Sequence, residues 1–231
     1  MRLIPVAAAA ALVLASTSPA QAATSVARWE MGEPVGARTM LDSSGNGLKG
    51  SVGNDVYTGL GFSGGGGYRF ASVSPDDKPV RPEHTVVVPD DSRLDPGWRD
   101  YTVELRVRTS GQGGNIIQKG QARTAGGFWK IELNAGEPTC MFRGPDGTTN
   151  AVRARGGSIS YTGWHTVQCT RTPNSVDLWV DGRHVGRNTG QTGSIANSQP
   201  VSIGGKQNCD QQQVGCDYFG GDVDWIRITA S

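Results

Sequence analysis

The sequence predicts an all-β protein, a sandwich of antiparallel sheets, and three observations carry that prediction. The first is the stretch Gly163 to Gly182, GWHTVQCTRTPNSVDLWVDG, which reads as two short strands joined at a Thr-Pro-Asn-Ser turn and closed by a second turn at Asp181-Gly182. The second is a strict alternation: Tyr101, Val103, Leu105 and Val107 face one way, while Thr102, Glu104, Arg106 and Arg108 face the other. The first set is a core face and the second a solvent or groove face. The third is composition: 34 Gly and 12 Pro in 231 residues, with no helical period beyond the N-terminal segment, imply many turns between short strands.

The elements follow in chain order. Arg2 supplies a minimal basic region, Leu3 to Ala15 an apolar stretch, and Ala20-Gln21-Ala22 a small-x-small cleavage site. The apolar run is shorter than the ~20 residues of a membrane span. Residues 1–22 are therefore expected to be an export signal that is removed, leaving 209 of the 231 residues, 23–231, as one domain. Ala27 to Met31 begins the domain as a strand. DSSGNGLKG, Asp42 to Gly50, is a loop whose Asp, Ser and Asn side chains bond their own backbone. A Gly-rich connection, Gly59 to Gly67, and a polar excursion, Ser74 to Pro82, precede the strand His84 to Val88. Tyr101 to Arg108, Ile116 to Gln118, Phe128 to Leu133, Thr139 to Arg143, Trp164 to Thr170, Val176 to Val180, Val201 to Ile203 and Val223 to Ile228 complete the strands.

Removing Arg2 with the leader takes 22 basic residues to 21, against 21 acidic ones, and no like-charge block interrupts the chain. A nucleic-acid partner would need a basic stripe, and none is visible. Four cysteines in an exported chain read as two disulfides, for which three connectivities exist. Cys209 and Cys216 share the short polar segment CDQQQVGC and are paired as a stapled loop, which leaves Cys140 to Cys169. A metal site is disfavoured because there is no CxxC pair and no His close to either cysteine.

Two motif matches carry no chemistry. GLGFSG, Gly59 to Gly64, fits the dinucleotide pattern, and GFSGG, Gly61 to Gly65, fits the serine-hydrolase pattern. Both need a helix immediately afterwards, and Gly66, Gly67 and Tyr68 follow instead.

The ordered series ARWEM, DSSGNGLKG, HTVVVPDDSRL, YTVELRVRT, NIIQKG, GFWKIEL, GWHTVQCTR, VDLWVDGRHVG and GGDVDWIRI resembles laminin G-like domains of the concanavalin A-like lectin/glucanase superfamily, most of all their secreted bacterial form. The resemblance covers nearly all of the chain after the leader and implies a jelly-roll sandwich that binds carbohydrate or cell-surface material, with a calcium ion at one edge. Its ion lies between an Asp of the N-terminal loop and an Asp of the last strand, positions that fall on Asp42 and Asp224. Independently, Asp222 and Asp224 share the parity of Ile226 and Ile228 and so would point inward, where a carboxylate needs a partner and calcium suits one. The competing arrangement has Asp42 capping its own turn and Asp224 paired with an arginine.

Of the six tryptophans, Trp129 shares parity with Ile131 and Leu133, and Trp29 and Trp164 match core positions of the resembled family. Trp98 and Trp179 remain as candidates for contact with a sugar. Retaining glucanases of this superfamily carry an E-x-D-x-x-E strand, which is missing here; Glu104 and Glu132 stand alone beside Arg106 and Lys130. Glu104-Leu105-Arg106 is similar to part of an alginate-lyase signature whose other motifs are missing. The expectation is a secreted, monomeric, calcium-stabilised module that binds a polysaccharide or cell-surface glycan without catalysis and without inserting into a membrane. The alternatives are an adhesion or structural protein with no glycan ligand, and a divergent hydrolase or lyase. Specificity is expected in loops such as Gly111 to Gly114 and Thr148 to Gly157.

Overall fold

The computed structural model describes residues 22–62, 65–73, 82–111, 113–146, 152–207 and 215–231, with side chains 152–154 left aside. Two antiparallel sheets of eight strands each form a jelly-roll sandwich. In the first sheet the order is β14 (Arg183–Thr189), β13 (Ser175–Val180), β12 (Trp164–Thr172), β7 (Tyr101–Thr109), β16 (Gly221–Ala230), β5 (Tyr68–Phe70) and β4 (Val56–Tyr57). β1 (Thr24–Trp29) pairs with the far half of β16. In the second sheet the order is β11 (Val152–Arg155), β10 (Glu137–Arg143), β9 (Phe128–Asn134), β8 (Gly113–Lys119), β15 (Val201–Ile203), β6 (Val86–Val88), β3 (Gly50–Val52) and β2 (Thr39–Met40). The last strand of the chain thus lies in the middle of the first sheet, between β7 and β5.

The core follows from side-chain alternation. Tyr101, Val103, Leu105 and Val107 are buried between the sheets, and the four residues alternating with them, Thr102 to Arg108, are half-buried on the outer face. β9 and β10 answer with Trp129, Ile131, Leu133 and Phe142. Tyr101 of one sheet packs against Trp129 and Phe142 of the other, with ring centroids 5.9 and 6.4 Å away. Trp29 and Trp129 are core residues, and their indole N–H groups donate to the carbonyls of Leu48 and Leu94.

Cys140 of β10 is bonded to Cys169 of β12, so the bridge ties one sheet to the other through the core. Cys216 is also disulfide-bonded, while Cys209 lies outside the described residues. So do the expected leader, apart from Ala22, and residues 112 and 148–151 of the expected specificity loops. No helix among the described residues is long and apolar enough to cross a membrane.

The strands that the pattern misses are the two- and three-residue β2, β3, β4 and β5, which are too short to show a period, β11, which falls in the expected loop Thr148 to Gly157, and β14. The last is almost wholly exposed and carries only Val185 as a large apolar side chain.

Candidate functional site

Five strands of the first sheet each contribute one outward residue to a line across it. Tyr57 of β4 stands opposite Arg69 of β5, and Arg69 opposite Asp222 of β16. Asp222 stands opposite Arg108 of β7, and Arg108 opposite Trp164 of β12. Neighbouring strands lie about 4.8 Å apart, so the row runs roughly 19 Å. The residues that alternate with it, Val56, Tyr68, Phe70, Val107 and Val223, are all in the core, which turns the row to the outside.

Asp222 is its hinge. Arg69 Nε donates to Oδ1 at 2.7 Å, while Arg108 Nε and Nη2 donate to Oδ2 at 3.0 and 2.6 Å. The Asp222 side chain is 7% exposed, whereas the side chains of Arg69 and Arg108 keep 50% and 38% of their surface in water. Hydrogen bonding to Asp222, followed by its charge, raises the Arg69 pKa above its ordinary value. One step along the strands, the buried Asp224 is paired with Arg106. Arg106 and Arg108 lie over the Trp164 ring at 5.0 and 4.9 Å, and Arg108 also over Phe62 at 5.2 Å. These contacts fix guanidinium planes that would otherwise swing freely.

Phe62 reaches this face through the Gly-rich connection. It exchanges backbone hydrogen bonds with Gly65 and meets Trp164 edge-on at 4.9 Å. A side chain on Gly67 would lie 2.3 Å from the Phe62 ring, so only glycine leaves room for it.

At the end of β7 and β16 the row opens into a cleft of about 460 Å³, lined by Arg69, Ser72, Arg108, Ser110, Tyr161 and Asp222 among others. Tyr161 stands on its rim, 74% exposed. Its φ of 64° is one that a bulky residue adopts only when its surroundings impose it, and Gly163 follows at 106°. The imposition is visible. Tyr161 N–H donates to the Thr109 carbonyl at 2.9 Å, Ser160 Oγ to the Gly111 carbonyl at 2.6 Å, and Thr162 Oγ1 to the Ile159 carbonyl at 2.8 Å. His165 then joins Thr162 to Asp181, at 2.8 and 2.7 Å. The series hydroxyl, imidazole, carboxylate has the look of a nucleophile relay. Because the hydroxyl hydrogen serves the Ile159 carbonyl, the group pins the turn. Flat rings, fixed N–H donors and serine hydroxyls around an open cleft match a ligand with apolar faces and many hydroxyls.

The expected site residues are distributed differently. Trp164 is a half-buried residue of the outer face and is not in the core. Asp222 and Asp224 do not point into the core with Ile226 and Ile228. The register of β16 shifts between Val223 and Trp225, and the extra residue of this β-bulge reverses the parity upstream. Trp179 lies on the same outer face but opposite Gln168, four residues along β12 from Trp164, and packs on His184 at 4.9 Å. Trp98 is exposed in the turn after Gly97, away from the row.

Asp42 accepts four hydrogen bonds, from Arg28 N–H and Ser44 N–H on Oδ1 and from Ser44 Oγ–H and Leu48 N–H on Oδ2. Burial pushes its carboxyl up, and the bonds from Ser44, Arg28 and Leu48 outweigh that and hold it below its ordinary value. A carboxylate has about four lone-pair sites, so those of Asp42 are filled, and the charge of Asp224 is matched by Arg106. The two aspartates thus have the partners of the competing arrangement, and as they stand they do not fit a shared calcium. Among the described residues one group of three, Asp55, Glu83 and His84, has its potential metal-binding atoms within 4.8 Å of one another. His84 Nε2 and Asp55 Oδ2 already form a pair there at 3.4 Å.

Residues 81–230 match the family model described as the concanavalin A-like lectin/glucanases superfamily. The chain belongs to that superfamily. No curated protein matches it in sequence. Among solved structures, this superfamily member is similar to the binding domain of Paraclostridial Mosquitocidal Protein 1, with 13% identity, TM-score 0.63, and 90% of this chain covering 48% of that one. It is similar to the botulinum neurotoxin serotype D binding domain at 14% identity and TM-score 0.58, covering 90% and 47%. It is similar to domain 4 of AbnA, an extracellular arabinanase from Geobacillus stearothermophilus solved with arabinotriose, at 15% identity and TM-score 0.56, covering 91% and 94%. The chain spans about half the length of the toxin domains, and the likeness is one of fold. Tyr57, Phe62 and Arg69 lie upstream of the family match, and the structure brings them to the face that carries Arg108 and Trp164.

Proposed function

We propose that this protein is an exported glycan-binding module that holds a polysaccharide or cell-surface glycan on the outer face of its first sheet without cleaving it. The observation that carries this reading is the row Tyr57, Arg69, Asp222, Arg108 and Trp164, opening on a cleft whose rim presents Tyr161 in a strained, pinned conformation. Sugars offer flat C–H faces to aromatic rings and hydroxyls to charged donors, and both are fixed here before the ligand arrives. An inter-sheet disulfide suits an oxidising, extracytoplasmic setting, and an arabinanase domain of the same fold was solved with a bound oligosaccharide. The Asp222 carboxylate, held by two guanidinium groups, orders donors. Calcium, which the resemblance implies, plays no part in this reading, because the donors around Asp42 and Arg106 beside Asp224 take its place.

The test is affinity electrophoresis and calorimetry of the protein against a panel of plant, microbial and animal polysaccharides, with product analysis on the same samples. Retention by at least one polymer without oligosaccharide release is expected, and Tyr161→Ala and Trp164→Ala should each weaken it about ten-fold, the loss of roughly one good contact. Retention that neither variant changes would place the binding surface elsewhere. Steady product release would make the protein an enzyme.

A further inference from the structure

Resting on that reading of the site, we infer that the ligand is an acidic saccharide, one whose uronic acid carboxylate docks on Arg69 and Arg108. The argument begins with the charges on the outer face. Three guanidinium groups, Arg69, Arg106 and Arg108, share two carboxylates, Asp222 and Asp224. Burial then separates the signs. The aspartate side chains are 7% and 4% exposed and lie beneath, while the Arg69 and Arg108 side chains stay open to water. A ligand entering the cleft therefore meets cationic N–H groups, with Asp222 the only anionic side chain among the described residues of the lining and already engaged.

Geometry narrows the choice. A guanidinium has five N–H donors in a fixed fork. Arg108 gives Nε and Nη2 to Asp222, and Arg69 gives Nε at 2.7 Å and Nη2 at 3.4 Å, so the Nη1 side of each fork remains for a ligand. Two such forks on either side of one buried carboxylate match a planar two-oxygen anion better than a lone hydroxyl. Arg108 is also held flat on Trp164 and Phe62, which lowers the entropy lost on docking. A neutral sugar would leave those cationic donors only hydroxyls to bind.

Polygalacturonate, a neutral arabinan and dextran sulfate are the probes, titrated into the protein and into Arg69→Gln at low and high salt. Arg69→Gln keeps Asp222 paired with Arg108, and a thermal melt confirms that it folds. Polygalacturonate should bind roughly ten-fold tighter than arabinan, the gain of a charge-assisted contact, and lose that margin in Arg69→Gln and at high salt. Equal affinity for arabinan, unaffected by Arg69→Gln, would overturn the inference and leave the glycan-binding reading standing. Dextran sulfate bound as well as polygalacturonate would reduce the site to charge alone and overturn it too. Binding of none of the three, and of nothing else in the wider panel, would remove the glycan-binding reading itself.

Discussion

β7 and β16 are neighbours in the first sheet, and they carry their information differently. β7 alternates without interruption over Tyr101 to Thr109, so each residue's face follows from its parity. β16 alternates in two halves separated by a register shift beside Asp224, with Val223 opposite Val107 and Trp225 opposite Arg106. One strand builds a core and a face. The other builds the same core and, by one extra residue, places two aspartates where the arginines of β7 can use them. A regular period describes packing, and a break in it marks the place where the sheet does something besides pack.

The largest effect should come from the inner side, where the two strands are alike. Leu105→Ala and Ile226→Ala each delete a fully buried aliphatic group, and each should cost about 3 kcal/mol in urea unfolding. A cost below about 1 kcal/mol for Ile226 would mean that β16 is not in this register. Next is removal of the bulge itself. Deleting Asp224 should leave Val223 opposite Val107 and Trp225 opposite Arg106, so the protein should still fold by near-UV circular dichroism. Stability should fall by roughly 2 kcal/mol, because Arg106 loses its partner while staying partly in water. An unfolded deletion variant would show that Asp224 is not the inserted residue. The smallest effect concerns Asp42, expected with Asp224 at the metal site. Asp42→Ala should cost about 1 kcal/mol through the lost turn hydrogen bonds, and a chelator should leave the melting temperature of the parent protein unchanged. The Asp42 carboxyl is held below its ordinary value of 3.8, so its contribution is complete above that pH and is lost as pH falls below it. Melting curves between pH 6 and pH 3 should therefore fall less steeply in Asp42→Ala. A chelator-induced drop in the parent would restore calcium to the account.

The fold was legible because its long strands obey simple periods. The β12–β13 hairpin, the β7 alternation and the Cys140–Cys169 pairing were all readable from residue order. That the bridge joins the two sheets, from β10 to β12, is a layer assignment that residue order does not supply. The site was much less legible. Arg106 and Arg108 fall on the outer face by parity, but their partners Asp224 and Asp222 lie 118 and 114 residues away on β16, whose place beside β7 residue order does not announce. Trp164 is expected in the core because it matches a core position of the resembled family, yet its place opposite the outward Arg108 puts it on the outer face. Asp222 and Asp224 were misdirected by a bulge that no period announces. The one local signal was the glycine run Gly64 to Gly67, which could have been read as making room for a neighbour such as Phe62.

The position of β16 has a consequence for how the protein comes into being. The row begins at Tyr57 and is joined across its middle by Asp222, 165 residues later, on a strand that must enter between β7 and β5. While the chain is being synthesised, Arg69 and Arg108 have no common carboxylate and the cleft has no inner wall. The proposed site is therefore completed only once β16 has left the ribosome, and a chain terminated before that strand would display its arginines and aromatics without the arrangement that brings them together.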